Sequence, residues 1–460
     1  MRPRLPLAAE ILAARAAGAA SRLVRTGGGT TIPGKLLWKL DPQAIDRLAE
    51  RLPRGSLLVS ATNGKTTTAA MVASILGDGV RLAHNRAGAN LVSGVASALL
   101  AARDAELGLF EVDEAALPEV ARRTLPRAVC LGNLFRDQLD RYGELELVAE
   151  RWRAAVRALD PDAWIVVNGD DPQVGDLARE REHAVVFGLD DPQVGRPALQ
   201  HAADSRYCIR CGTPYVFSVA YVGHLGDYRC SECGHARPTP TVFGREIELR
   251  GFGGASFDLH TPQGTRRIDL ELPGLYNVYN AIAAAALGQV AGATLDQIRD
   301  GLARFSPAFG RFERIAVDGK DVLMLLIKNP AGANEVVRTL VDGGVPPVLL
   351  IALNDAIADG RDVSWIWDVD FEPLIEGGAI ERIVATGDRA AELALRFRYS
   401  GFGADRIEVV PGLAAALDRG LALTPQAGQL TVLPTYTAML ALRRIVSERG
   451  YVRPYWEQAA

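Results

Sequence analysis

The chain has 460 residues, 48% hydrophobic and 23% charged, with a formal net charge of -4 and a pI near 6.0. A chain this long can bury more than one sizeable core and predicts several domains. The acidic balance argues against a nucleic-acid-binding face as the main business, and no apolar run is long enough for a membrane-spanning helix.

Leu7 to Leu23 is Ala-rich and interrupted by Glu10, Arg15 and Arg22. It reads as an amphipathic helix, not a secretion signal; packing on the body is favoured over contact with a membrane, and a cytoplasmic location is the default. Residues 1–50 form a helical lead-in with a Gly/Thr/Pro loop at Gly27 to Gly34. The apolar run Leu57-Leu58-Val59 then enters the turn Ser60-Ala61-Thr62-Asn63-Gly64-Lys65-Thr66-Thr67-Thr68, and a helical pattern starts near Lys65. Strand, Gly-Lys-Thr turn and helix N-terminus make a phosphate cradle, because backbone N–H groups and the positive end of the helix dipole face the anion. Lys65 can reach the outer phosphates and the Thr66 hydroxyl can ligate magnesium. The strict G-x-x-x-x-G-K-[ST] pattern is not met, since Val59 occupies the place of its first Gly, so an ordinary strand-to-helix turn remains open on this segment alone. Lysine is scarce: Lys35, Lys39, Lys65, Lys320 and Lys328 are the only ones. At Lys65 a compact ammonium does what a guanidinium fork cannot.

From Ser56 to about Asp190, strand candidates Leu57–Val59, Leu107–Val112, Ala128–Leu131 and Trp164–Asn168 alternate with helical stretches, which predicts a doubly wound α/β sheet. Glu111, Asp113 and Glu114 follow the second strand, where carboxylates beside a phosphate loop would hold magnesium. Residues 191 to about 270 read as a small β-rich insertion, and Gly274 to Leu287 returns to helix. Inside the insertion, Cys208, Cys211, Cys230 and Cys233 form C-x₂-C-x₁₈-C-x₂-C, with Gly212 and Gly234 at the same offset after each pair, where tight knuckle turns are needed. That spacing suits a closed, structural zinc site; disulfides or free thiols are the alternatives. Stapling is favoured over nucleic-acid binding, because Asp204, Asp227 and Glu232 offset the nearby arginines. Cys130 ends an apolar strand and reads as a buried small hydrophobe.

A second alternating block runs from about Arg314 to the end, with strands near Val348–Ala352, Ile380–Ala385, Ile407–Val410 and Gln429–Leu433. Between its strands, Asn354 to Asp368 gathers Asp355, Asp359, Asp362 and Asp368 with Trp365 and Trp367. It is either a solvated acidic loop with aromatic anchors or a docking or catalytic loop at a strand's carboxyl edge.

Taken in order, the phosphate turn, Phe110–Glu114, Gly132-Asn133 through Gly143, Val167-Asn168-Gly169-Asp170-Asp171, Gly274-Leu275-Tyr276-Asn277-Val278-Tyr279-Asn280-Ala281 and Gly310-Arg311-Phe312-Glu313 resemble the Mur ligase superfamily. The resemblance implies an α/β chain of three parts: residues 1–50 as lead-in, 51–308 as a central P-loop ATPase domain with a zinc ribbon inserted at about 200–240, and 309–460 as a Rossmann-like C-terminal domain. It implies that Thr62, Asn63, Gly64, Lys65, Thr66 and Thr67 hold the phosphates of ATP, with Lys65 acting in catalysis. Thr66 and Glu111 would hold magnesium, Asn277 and Asn280 would lie beside the adenine, and Arg311 would contact the nucleotide from the domain junction.

Departures narrow the resemblance. Gln138 stands for the His of D-H-L-D, and Tyr276 for the His of G-x-H-N. Several amino-acid-adding members carry a carbamylated Lys in the region that here lies near Trp152, and this chain has no Lys between Lys65 and Lys320. The family's D-x-A-H-N-P becomes Leu325-Leu326-Ile327-Lys328-Asn329-Pro330. With the ribbon and the Asp-Trp loop, these features resemble the amidating branch, the ligase subunits of lipid II isoglutaminyl synthases. That implies ATP-dependent amidation of the stem-peptide D-Glu α-carboxylate in peptidoglycan biosynthesis, through an acyl phosphate. It also implies a heterodimer with a GatD-type glutamine amidotransferase that supplies ammonia. On the same resemblance Asp355 completes a Cys-His-Asp triad with that partner, with Asp359 or Asp362 as alternatives. Two rival readings stay open: an amino-acid-adding ligase of the peptidoglycan or folylpolyglutamate type, and a zinc-ribbon nucleic-acid binder with a vestigial ATPase.

Overall fold

The computed structural model describes residues 11, 14, 31–85, 89–137, 145–200, 203–305 and 312–453. The reading of Leu7 to Leu23 therefore falls almost wholly outside the described residues, as do Gln138 and the expected division near 307–311.

Two open sheets carry the chain. The first has nine strands: β1 (Ser56–Ser60), β2 (Leu82–His84), β3 (Leu107–Glu111), β4 (Ala128–Leu131), β5 (Trp164–Asn168), β6 (Ala184–Leu189), and, beyond a separate hairpin β7 (Val216–Val222) and β8 (Leu225–Arg229), β9 (Val242–Leu249), β10 (Ala255–Thr261) and β11 (Gly264–Leu270). Their spatial order is β11-β10-β9-β6-β5-β4-β1-β3-β2. Pairing is parallel from β2 to β9 and antiparallel across β9, β10 and β11. The expected β-rich insertion is thus narrower than its composition suggests. Only the β7–β8 hairpin and its flanking cysteine turns stand apart, while β9 to β11 extend the main sheet by pairing with β6.

Period-two alternation sends each strand's side chains to opposite faces. Leu57 and Val59 enter one core and Leu58 the other; Cys130 and Val129 divide in the same way. With both faces covered by helices, the parallel strands can be apolar throughout, as at the wholly buried Leu57-Leu58-Val59.

The second sheet is built from β12 (Phe312–Val317), β13 (Lys320–Leu325), β14 (Val348–Ala352), β15 (Arg382–Thr386), β16 (Ile407–Val409) and β17 (Gln429–Pro434), in the order β12-β13-β17-β14-β15-β16. β12 is antiparallel at one edge and the rest are parallel. Leu349 and Ile351 face one core, and Val348 and Leu350 the other.

Four helices bear on the sites that these sheets build: α1 (Lys65–Leu76), α2 (Leu275–Val290), α3 (Pro330–Gly343) and α4 (Tyr436–Glu448). No helix among the described residues is long and apolar enough to cross a membrane.

Candidate nucleotide site and cysteine ribbon

In an open parallel sheet the loops at the carboxyl ends of the strands lie together, and ligands bind there. Here β1 lies between β4 and β3. Its following loop, Ala61–Gly64, is met by Glu111–Glu114 after β3 and by Asn133–Phe135 after β4. The loop is shaped by Asn133, whose carbonyl accepts from Thr62 N at 2.9 Å and whose side chain both accepts from Asn63 N and donates to Asn63 O. The Thr62 hydroxyl is engaged with the Phe135 backbone. Gly64 enters α1 at φ 91°, and a Cβ there would sit 2.0 Å from Asn280 Oδ1. The turn and the close approach of α2 therefore both require glycine. No side chain caps α1, so its first-turn N–H groups are available to an anion.

Lys65 is 6% exposed, and its ammonium donates to Ala61 O and to Glu114 Oε2, both at 2.9 Å. Burial works against its charge, but Glu114, Glu111 and Asp113 outweigh that and hold its pKa above the ordinary lysine value. Glu114 is likewise held below the usual carboxylate range: burial opposes the charge, and Lys65 and Lys328 overcome it. Thr66 Oγ1 donates to Glu111 Oε1 at 2.9 Å, placing two hard oxygen donors side by side beneath the loop. Such a pair fits magnesium, with waters and phosphate oxygens completing its shell.

A cleft open to solvent lies between the two sheets, the kind of concave place where small molecules bind. Asn63, Gly64, Thr67, Asn277 and Asn280 line it, so five of the predicted nucleotide residues share one wall. Asn280 donates to Asn277 Oδ1 at 3.1 Å and Asn277 to Pro273 O at 2.7 Å. Arg311 lies outside the described residues.

The far wall comes from the second sheet and was not assigned from the sequence. Asn329 and Asn63 exchange side-chain hydrogen bonds at 3.0 and 3.2 Å. Lys328 donates to Thr62 O at 3.2 Å and pairs with Asp137. Both residues belong to the segment whose departure from D-x-A-H-N-P was plain in the sequence, and that was the available signal. Glu335 also lines the cleft, and no local sequence pattern marks it. In the region where the resemblance implied a modified lysine, Trp152 is fully buried and its indole N–H donates to Glu114 O at 2.9 Å.

The Asn168-Gly169-Asp170-Asp171 motif serves as a joint. Asp170 accepts from Arg237 and Tyr279, each at 2.6 Å, and so joins the end of the hairpin region to α2. Asp171 caps the turn Pro172–Gly175 and accepts from Leu134 N at 2.8 Å.

Cys208, Cys211, Cys230 and Cys233 bring four sulfurs within 4.8 Å of one another. Gly212 and Gly234 adopt φ of 76° and 71°, and their N–H groups close back on Cys208 O and Cys230 O. Four thiolates on a zinc ion, with Zn–S near 2.3 Å, would stand ~3.8 Å apart, so the set fits a tetrahedral metal. From this ribbon the β7–β8 hairpin extends so that Val222 and Leu225, at its tip, form part of the cleft wall. Cys130 is buried in β4, and burial pushes its thiol up to about 12.

The acidic loop after β14 divides by function. Asp359 is buried and accepts from the N–H and hydroxyl of Thr437 at the start of α4; burial raises its pKa. Asn354 is bound to Thr435 and Thr437. Asp362 holds Ser364 N, and Asp368 lies 3.4 Å from Arg136 of the first sheet. Asp355 is only partly covered, 3.3 Å from Arg389, beside the 72%-exposed Ile357.

Residues 59–223 match the Mur ligase middle domain and residues 326–439 the MurT ligase C-terminal domain. The chain is 31% identical to the MurT subunit of the glutamine-hydrolysing lipid II isoglutaminyl synthase of Streptococcus pneumoniae, over 95% of this chain and 97% of that protein. It is 30% identical to the MurT subunit of Staphylococcus aureus, over 93% and 94%. Among solved structures, the fold is similar to a pseudomurein peptide ligase type C from Methanothermus fervidus, with TM-score 0.68, 20% identity, and 88% and 80% of the two chains covered. It is also similar to a MurF ligase from Thermotoga maritima in complex with ADP, with TM-score 0.60, 13% identity, and 91% and 85% covered.

Proposed function

This chain belongs to the MurT family of Mur ligases, and on that premise we propose that it is the ATP-dependent ligase subunit of a lipid II isoglutaminyl synthase. Its reaction converts the D-Glu α-carboxylate of the stem peptide to the amide. The observation that carries this reading is the phosphate loop with its buried Lys65–Glu114 and Thr66–Glu111 pairs, faced across the cleft by Lys328 and Asn329.

A carboxylate does not react with ammonia directly. In the proposed sequence a substrate carboxylate oxygen attacks the γ-phosphorus of ATP and ADP leaves, giving an acyl phosphate. Ammonia then attacks the acyl carbon through its lone pair, phosphate leaves, and the nitrogen gives up a proton to become the neutral amide. Phosphoryl transfer of this kind is mostly positioning and charge stabilisation. Lys65 and the start of α1 supply both, and Thr66 and Glu111 would hold the magnesium that screens the phosphates. The lack of any lysine between Lys65 and Lys320, where the resemblance implied a modified one near Trp152, favours ammonia over an incoming amino acid. Ammonia needs shelter from water and protonation more than it needs a strong base. The four cysteines would hold a structural zinc ion.

Ammonia would come from a GatD-type glutamine amidotransferase bound as a heterodimer. Asp355, half-buried beside the exposed Ile357 while Asp359 is spent on Thr437, is the acid we assign to that partner's triad. The test is amidation of lipid II by the purified chain with ammonium or glutamine, with and without the partner. Ammonium should suffice alone, and glutamine should work only with the partner. Lys65→Met should abolish both activities, and Asp355→Asn only the glutamine-dependent one. ADP release driven by a free amino acid instead would make the chain an amino-acid-adding ligase.

A further inference from the structure

Glu335 is an anomaly in this cleft. It is 2% exposed, lines the cavity between the two sheets, and neither of its carboxyl oxygens has a hydrogen-bond partner among the described residues. The charged groups around it are Arg338, Arg196 and Asp342. Arg338, one turn further along α3, donates instead to Tyr221 O at 3.1 Å and Val194 O at 2.6 Å, and lies 3.7 Å from Asp342. A buried carboxyl with nothing to bind is costly, and a fold that keeps one has a use for it when the cleft is filled.

The two helices flanking the cleft show which part of a nucleotide would meet it. At the start of α3, Asn329 pairs with Asn63 of the phosphate loop. On α2, Asn280 touches the same loop at Gly64. At the other end, a Cβ on Gly274, before α2, would sit 3.1 Å from Thr339 Oγ1, one turn beyond Glu335 on α3. The helices therefore run antiparallel across the cleft, with the phosphate end at Asn63, Asn280 and Asn329; of the two asparagines expected beside the adenine, Asn280 thus lies against the phosphate loop instead. Glu335 lies six residues past Asn329, ~9 Å along the helix axis, which is the nucleoside end. The apolar and aromatic residues next to the nucleoside-end markers in the chain, Leu272, Tyr276 and Val336, also line the cleft, a lining suited to a flat base more than to a hydrated sugar.

We propose that Glu335 is the base-reading residue of the cleft, accepting a hydrogen bond from the 6-amino group of adenine and so selecting ATP over 6-oxo purine nucleotides. This rests on the reading of the cleft as the ATP site. Burial pushes the Glu335 carboxyl up to about 7. Its ionised form, an acceptor only, takes a hydrogen bond from the 6-amino group of adenine. A 6-oxo purine presents an acceptor in that position and meets the carboxylate oxygen with its own carbonyl.

The test is calorimetric binding of ATP, 2′-deoxy-ATP, 3′-deoxy-ATP and ITP to the full chain with Glu335, Glu335→Leu and Glu335→Gln. The wild type should bind ATP at least tenfold more tightly than ITP. Glu335→Leu should lose tenfold or more for ATP and for both deoxy analogues and less than twofold for ITP, while melting at a higher temperature without nucleotide. Glu335→Gln can turn its amide to donate to a carbonyl, so it should keep ATP within threefold and bind ITP better than the wild type does. Equal losses for ATP and ITP, or no loss for either, would overturn the assignment. So would a loss for ATP that one deoxy analogue escapes, which would move the contact to the ribose. A wild type that binds none of the four nucleotides would instead sink the reading of the cleft as an ATP site.

Discussion

A buried ion pair beside the phosphate loop and a lone buried carboxyl in the cleft follow opposite rules. Lys65 and Glu114 are buried together, so each compensates the other. Removing one alone would leave an unpaired buried charge, typically at a cost of ~3–5 kcal/mol. Glu335 is buried without a hydrogen-bond partner among the described residues, and desolvation raises its carboxyl from 4.5 to about 7. Between those two values the folded state holds the proton that the unfolded chain releases. Stability contributed through this group is thus present at low pH and falls as pH rises from about 4.5 to about 7, by ~1.4 kcal/mol for each pH unit crossed. Glu114 is shifted down and Asp176 strongly down, so they act in the opposite sense, in more acidic solution. Melting temperatures measured between pH 5 and 8 without nucleotide should fall more steeply for the wild type than for Glu335→Gln, in which this titration is absent. Parallel curves would show that Glu335 is not titrating in that range.

At the level of elements, the ribbon and the phosphate loop are coupled through one hairpin. The knuckle turns at Gly212 and Gly234 position four sulfurs, β7 and β8 extend from them, and the tip at Val222 and Leu225 walls the cleft. A further clamp lies beneath: His235 lies within hydrogen-bond distance of both Tyr215 and Asp176, and Arg153 and Arg210 also close on Asp176. Structural zinc binding is worth ~10–16 kcal/mol in small isolated domains, far more than the small aromatic cluster under this hairpin can supply. Cys230→Ser should therefore release one equivalent of zinc by elemental analysis and lower the melting temperature. It should also raise the ATP dissociation constant severalfold, with the far-ultraviolet circular dichroism of the sheets kept. Zinc-free wild-type protein with unchanged ATP affinity would refute the coupling.

For the whole molecule, the decisive feature is that the cleft has walls from two sheets. Asn63–Asn329, Lys328 with Asp137 and Thr62, and Arg136 with Asp368 join them around the cavity, and Arg338 binds α3 to the hairpin region. Asn329 has two tasks, capping α3 through Gly332 N and holding Asn63. Asn329→Ser should keep the cap, since serine serves there about as well, but cannot span to Asn63. Its melting temperature should stay close to wild type while kcat for ATP-dependent amidation falls roughly tenfold. An unchanged kcat would show that the pair across the cleft plays no part in turnover.

What the sequence by itself determined is local. The apolar runs of β1, β3, β4 and β5, the Gly-Lys-Thr turn and the start of α1 at Lys65 follow from alternation and turn chemistry within a few residues of each other. So do the two cysteine knuckles, each with its left-handed glycine. The tertiary structure decided whatever depends on residues far apart in the chain. It decided that β9 to β11 join the main sheet, that Asp359 is spent on Thr437, and that Lys65 is paired with Glu114. It also decided that the hairpin tip and α3 close over the phosphate loop, with Glu335 lacking a hydrogen-bond partner among the described residues. The physical reason is that periodicity reports the face on which a side chain lies. The partner it meets there is chosen by packing between segments that can lie more than two hundred residues apart, as Asn63 and Asn329 do.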